Sequence, residues 1–199
     1  MNLTAKLLII ITLRNLSLIF IKYTVYSYTE EGEAAARFYF FTRQNVYMLI
    51  INNFEEYQSH LGKELGVSNW HKIDQEQINK FADATLDHQW IHTDQQKAAV
   101  ESPFKTTIAH GYLTLSLIPY LWKQIANVCN IKMEINYGIE RFKFSQPVLV
   151  NDEVQLKAKL TSIANLRGVT KVVIEATLAI KGQQKPAYSG DVVFLYHFI

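Results

Sequence analysis

The chain has 199 residues, 49% of them hydrophobic and 19% charged, with a formal net charge of +2. This is ordinary composition for one globular domain, alone or with an extension. No basic stripe is present and the aromatics are spread through apolar runs, which argues against nucleic acid, while the single cysteine, Cys129, excludes an internal disulfide and any multi-cysteine metal site. One cysteine also fits a reducing cytoplasm.

Residues 1–47 differ in character from the rest. LLIIITL (7–13) and LSLIFI (16–21) are apolar, but Arg14 and Asn15 interrupt them and Lys22 follows. The run falls short of the roughly 20 apolar residues that a spanning helix needs, and no small-x-small cleavage site follows at the right distance. The segment therefore reads as an N-terminal extension outside the core rather than a weak membrane anchor, with the domain proper over residues 48–199.

From Met48 the text becomes regular. NFEEYQSHLG (53–62) sets Phe54, Tyr57 and Leu61 at helical spacing, with Gly62 as a stop. ELGVSNWHKI (64–73) reads as extended. IDQEQINKFADAT (73–85) predicts a helix capped by Asp74, with Gln77 in the capping-box position and Ile78, Phe81 and Ala82 on one face. Asp94 predicts the cap of a short helix, QQKAAVES, that Pro103 ends. HGYLTLSLIPYLWKQIAN (110–127) is apolar nearly all round and predicts a long buried helix, bent or divided at Pro119. Thereafter the period changes to that of strands: YGIERFKF (137–144), EVQLKAKLTSI (153–163), VTKVVIEATLAI (169–180) and DVVFLYHF (191–198), separated by turn signals. The fold class is α+β, an antiparallel sheet wrapped around a long buried helix.

Two stretches carry chemistry. DATLDHQWIH (83–92) sets Asp87 and His92 just beyond a capped helix, in a segment that Trp90 and Ile91 tend to bury. A carboxylate and an imidazole held close can grip one water between them and move its protons, as general acid–base work requires. Taken singly, Asp87 reads as a turn former and His92 as a satisfied loop histidine. His88 and His92 are also four apart, a spacing that a zinc pair could use on a helix, but no HExxH pattern accompanies them and no metal is expected. The second stretch is IAHGYLTLSL (108–117), in which Gly111 opens the buried helix. First-turn amides have no intrahelical acceptor and carry partial positive charge, and an amide at glycine is open to a ligand oxygen. The alternative is that Gly111 merely permits close packing.

Together these stretches resemble the MaoC-like dehydratases, or R-specific enoyl-CoA hydratases, a hot-dog-fold family. Its signature runs aromatic-Ala-x-x-[Ser/Thr]-Gly-Asp-x-Asn-Pro-aliphatic-His-x-Asp, with His-Gly some distance later. Phe81, Ala82, Thr85, Asp87, Ile91, His92 and Asp94 fall on signature positions, as do His110 and Gly111. RFKFSQPVLVNDEV (141–154) resembles the family strand in which Phe-x-x-Pro-Val precedes a turn with Asp. Three positions depart: Leu86 stands for glycine, so its turn must avoid a positive φ or bear strain; Gln89 stands for asparagine, and Trp90 for proline. The DHQWIH variant points to the NodN-like branch.

The resemblance implies reversible syn hydration of a trans-2-enoyl thioester of coenzyme A or acyl carrier protein to the 3-hydroxyacyl thioester. Asp87 and His92 would hold the water and the Gly111 N–H would polarise the thioester carbonyl. Gln89, Trp90, His110, Tyr112, Leu115 and Ser116 would border the substrate, His110 as a packing or hydrogen-bonding group rather than a base. It implies no metal or redox cofactor, the carrier thioester being substrate, and a homodimer with the site near its interface. A non-catalytic acyl-thioester-binding protein of the same fold is the rival reading, favoured by Leu86, Gln89 and Trp90. A thioesterase would need a carboxylate on the buried helix, and residues 110–124 contain none.

Overall fold

The computed structural model describes residues 48–199 and, ahead of them, the backbone of strands Ile21–Tyr28 (β1) and Ala34–Phe41 (β2). These two strands pair antiparallel, Ile21 opposite Phe41, in a compact unit over Met1–Asn45 distinct from the unit over Val46–Ile199. The apolar runs singled out in the first 21 residues lie almost wholly outside the described residues. Among the described residues no helix is long and apolar enough to cross a membrane.

In the second unit, strand Leu49–Ile51 (β3) leads into a one-turn helix, Phe54–Gln58 (α1), capped by Asn53, whose side chain accepts from the Glu56 N–H. Glu64–Val67 (β4) and His71–Lys72 (β5) follow. Helix Gln75–Thr85 (α2) begins as its sequence predicts, the Asp74 carboxylate accepting from the Gln77 N–H at 2.8 Å. Only half of the capping box forms, because the Gln77 side chain bonds the His71 ring at 3.0 Å instead of turning back. Trp90–Thr93 (α3) is a single turn, and Gln95–Glu101 (α4) is capped by Asp94.

The long buried helix expected at 110–127 is two short ones. Gly111–Ser116 (α5) and Ile118–Trp122 (α6) meet at Leu117. Pro119 lies in the first turn of α6, where its missing N–H would have had no intrahelical acceptor. Nor is the segment buried all round: Leu113, Ile118, Leu121 and Trp122 face the core, while Tyr112 and Tyr120 are exposed.

Ala126–Val128 (β6) pairs in parallel with β3, Leu49 opposite Ala126, and so ties the start of the unit to the end of the helices. Four long strands follow: Ile131–Phe144 (β7), Glu153–Leu166 (β8), Val169–Ile180 (β9) and Tyr188–Phe198 (β10). They form an antiparallel sheet in the order β4-β8-β9-β10-β7, with β5 also on β8. Alternation decides which face is inside. Val154, Leu156, Ala158 and Leu160 of β8 and Val172, Ile174, Ala176, Leu178 and Ile180 of β9 are buried, their neighbours less so. This inner face receives α5 and α6; each fully buried large apolar side chain contributes roughly 2 kcal/mol. β7 is the sheet edge and keeps Met133, Tyr137 and Ile139 exposed.

Candidate active site

The site is built where the end of α2, the turn into α3, and the start of α5 converge. Leu86, the C-cap of α2, has φ 62° and ψ 19°, the left-handed conformation that glycine adopts without strain. Leucine at the signature-glycine position thus bears the strain of a positive φ rather than avoiding it, and its side chain is left 81% exposed. The turn directs Asp87 outward, its side chain 56% exposed, so the burial beside Trp90 that the sequence suggested does not occur. His92, one turn on, is buried. Its Nδ1–H donates to the main-chain carbonyl of Ile108 at 2.7 Å, which fixes the tautomer and leaves Nε2 as the acceptor. Gln75 holds the same turn from α2, donating to the His92 carbonyl at 2.7 Å.

His110 closes the group. Its ring stacks on that of His92, centroids 3.7 Å apart and planes at 27°, and its Nε2–H donates to the main-chain carbonyl of Asp87 at 2.9 Å. One donor atom from each of Asp87, His92 and His110 lies within 4.8 Å of the others. Two hydrogen bonds of about 2.8 Å meeting near the tetrahedral angle span about 4.6 Å, so one water can bridge the carboxylate and the imidazole. By spacing alone the same three residues could offer ligand atoms to a metal ion. However, near-parallel stacked rings send their in-plane lone pairs side by side rather than toward one point about 2.1 Å from each. Burial, reinforced by the neighbouring His110, holds the His92 imidazole below the usual histidine range, against the opposing pull of the Ile108 hydrogen bond and of Asp87.

A cavity of about 400 Å³ opens beside this group, lined by His92, Ile108, Gly111, Thr114, Phe144 and Gln146 among others. It therefore joins the imidazole to the first residue of α5. A Cβ at Gly111 would stand 3.0 Å from the Phe144 ring, so the missing side chain keeps this part of the cavity open.

A family model described as the MaoC-like domain matches residues 56–182. The chain belongs to the MaoC-like family. Its curated relatives include 3-hydroxyacyl-thioester dehydratase Z of Mycobacterium tuberculosis, 41% identical over 136 residues that cover 68% of this chain and 89% of the relative. They also include nodulation protein N of Rhizobium leguminosarum bv. viciae, 39% identical over 143 residues, 70% of this chain and 88% of that one. Among solved structures, the R-hydratase PhaJ1 of Pseudomonas aeruginosa superposes with a TM-score of 0.58 at 20% identity, over 70% of this chain and 83% of that chain. The (R)-hydratase of A. caviae involved in PHA biosynthesis does so at 0.56 and 24%, over 67% and 94%. These neighbours place the antiparallel sheet and its helices in the hot-dog fold, and the chain is a MaoC-like hydratase or dehydratase by family.

Within this MaoC-like site the structure sorts the residues that the sequence singled out. Asp87, His92 and His110 come together, and of the three only His92 lines the cavity that Gly111 also lines. His110 is the packing and hydrogen-bonding group expected, 3% exposed between His92 and Phe81, but it does not line the cavity. Gln89 is exposed and heads α3 without a side-chain cap bond, and Trp90 carries Lys97 over its ring at 5.0 Å, so neither lines the cavity. Tyr112 is exposed, edge-on to Phe144. Leu115 and Ser116 lie on another side of α5 and line a second cavity of about 310 Å³ against Tyr137, Ile139 and Val192. Sequence reasoning missed Phe144, Gln146 and the Ile108 carbonyl. The first two stand inside the Phe-x-x-Pro-Val stretch already quoted; a main-chain acceptor leaves no mark in the text.

Proposed function

We propose that this MaoC-like protein adds water reversibly across the C2=C3 bond of a trans-2-enoyl thioester, giving a 3-hydroxyacyl thioester. The observation that carries the reading is that a carboxylate oxygen of Asp87 and a ring nitrogen of His92 lie within 4.8 Å of each other, while His92 and Gly111 line one cavity. With Nδ1–H held by Ile108, His92 Nε2 is the free base. It takes a proton from the water as the water oxygen bonds to C3. The displaced electron pair passes to the thioester oxygen, which the Gly111 N–H at the head of α5 stabilises. C2 then receives a proton from the pair, which ends with the protonation it began with. The low proton affinity of His92 suits a base that is neutral near pH 7. None of these steps uses a metal or redox cofactor; the carrier arrives as part of the substrate.

The name of the mycobacterial relative includes a 3-hydroxyacyl thioester, which supports this substrate class. A homodimer in which the exposed β7 edge meets a second copy accords with the fold, since Met133, Tyr137 and Ile139 are apolar and uncovered. Incubation with crotonyl-CoA and longer enoyl-CoAs, followed by loss of the conjugated enoyl absorbance, tests the reaction. Turnover is expected; binding without turnover would move the assignment to a non-catalytic thioester-binding protein.

A further inference from the structure

His110 performs no step in the reaction just described and lines neither cavity. We propose that it is the positioning residue of the site, locking Asp87, His92 and the Gly111 amide into one arrangement; the proposal rests on the hydratase reading.

Three links make the lock. The His110 Nε2–H holds the Asp87 carbonyl at 2.9 Å. Asp87 follows a leucine with φ 62°, a backbone conformation that persists only when its surroundings hold it. The second link is the stack on His92 at 3.7 Å. The Ile108 carbonyl sets the direction in which the His92 ring points, and the face of His110 sets its tilt, so Nε2 has one position. The third link is covalent, because Gly111 is the next residue and its amide moves with His110. Phe81 closes the far face of the His110 ring, centroids 5.1 Å apart.

The orphaned nitrogen supports the same conclusion. His110 Nδ1 is buried with no hydrogen-bond partner among the described residues. A phenylalanine would fill the slot between Phe81 and His92 without burying an unsatisfied acceptor. An imidazole at this position is explained by the donor on its other nitrogen.

The test compares His110→Phe, which keeps a ring face and deletes the donor, with His110→Gln, which returns a donor to about the place of Nε2. For crotonyl-CoA hydration, kcat should fall about 100-fold in the Phe variant while KM stays within about threefold, the signature of misplaced reacting groups. The Gln variant should recover about tenfold of that loss. By NMR, the His92 ring in His110→Phe should titrate at higher pH than in the parent, since the neighbouring imidazole that disfavours its protonation is gone; Asp87 and His110 are the titratable groups that bear on it. A kcat within about threefold of the parent in His110→Phe, or a Gln variant no better than Phe, would overturn the proposal. If His110→Phe does not fold, His110→Gln decides alone: kcat within about tenfold of the parent sustains the proposal, and a loss equal to that of His92→Ala overturns it. If the parent hydrates no enoyl thioester, the hydratase reading fails and NMR positions decide this inference. Asp87 and His92 signals that shift in His110→Phe and return toward the parent's in His110→Gln sustain the proposal; signals unmoved in His110→Phe or not returned in His110→Gln overturn it.

Discussion

Along β8 and β9 nearly every residue obeys the rule of its place, whereas between α2 and α5 the chain breaks one rule after another. In the sheet, apolar residues alternate inward, and Leu160 and Ile174 face each other across the ladder. Near the site an exposed leucine takes a left-handed turn, two histidines are buried against each other, and one ring nitrogen goes unpaired. Local exceptions of this kind persist where function requires a geometry that folding alone would not select. The sheet follows local rules along these strands, and these exceptions gather at the junction that holds Asp87, His92 and His110.

Breaking the junction should abolish turnover and leave the fold. His92→Ala or Asp87→Asn is expected to lower enoyl-CoA hydration by about 1,000-fold. Asp87→Asn should leave the thermal midpoint close to the parent's, because that side chain is exposed; turnover unchanged in both variants would dismiss the site. Breaking the sheet should do the reverse. Leu160→Ala empties a fully buried position and is expected to cost about 3 kcal/mol in urea unfolding, with kcat of the folded fraction retained.

A smaller intrusion sharpens the contrast from inside the cavity. Gly111→Ala brings a methyl group to 3.0 Å from the Phe144 ring, and kcat/KM should fall about tenfold as the ring and the bound thioester shift. Stopped-flow assays of the two variants at position 111 and position 160 would show whether activity and stability separate as described. The pH profile probes the buried ring. Since the folded state holds His92 below its ordinary value of about 6.5, the acid limb of kcat/KM should have its midpoint below that value. The same shift has a sign for stability: the contribution is complete above about pH 6.5 and is lost as pH falls from there through the lower folded value, because the unfolded chain binds the proton more readily. Denaturant midpoints measured from pH 7.5 to 5 check it. The smallest effect belongs to Leu86→Gly, which relieves the left-handed turn and should stabilise the protein by about 1 kcal/mol.

Legibility in the sequence followed the same division. The bounds of β9 match the stretch VTKVVIEATLAI, and the caps at Asp74 and Asp94 form as read, because alternation and capping are local physics written in adjacent residues. The left-handed turn was legible as a choice between avoidance and strain, which only the backbone could decide. What the text did not disclose depends on partners distant in the chain. Leu115 and Ser116 were assigned to the substrate from their place on an apolar segment, but division at Leu117 and the path of β7 turn them to a different cavity. Burial of Asp87 was inferred from Trp90, whose ring instead packs beneath Lys97. The acceptor that His110 Nε2 bonds is a carbonyl 23 residues away.

Both rings of the site are tethered to carbonyl oxygens of the main chain, at Ile108 and at Asp87. No codon change at either acceptor removes those oxygens, so a descendant that replaced Asp87 or Ile108 would still carry the main-chain acceptor of the ring it holds. The ring pair is therefore insulated from side-chain drift on its acceptor side.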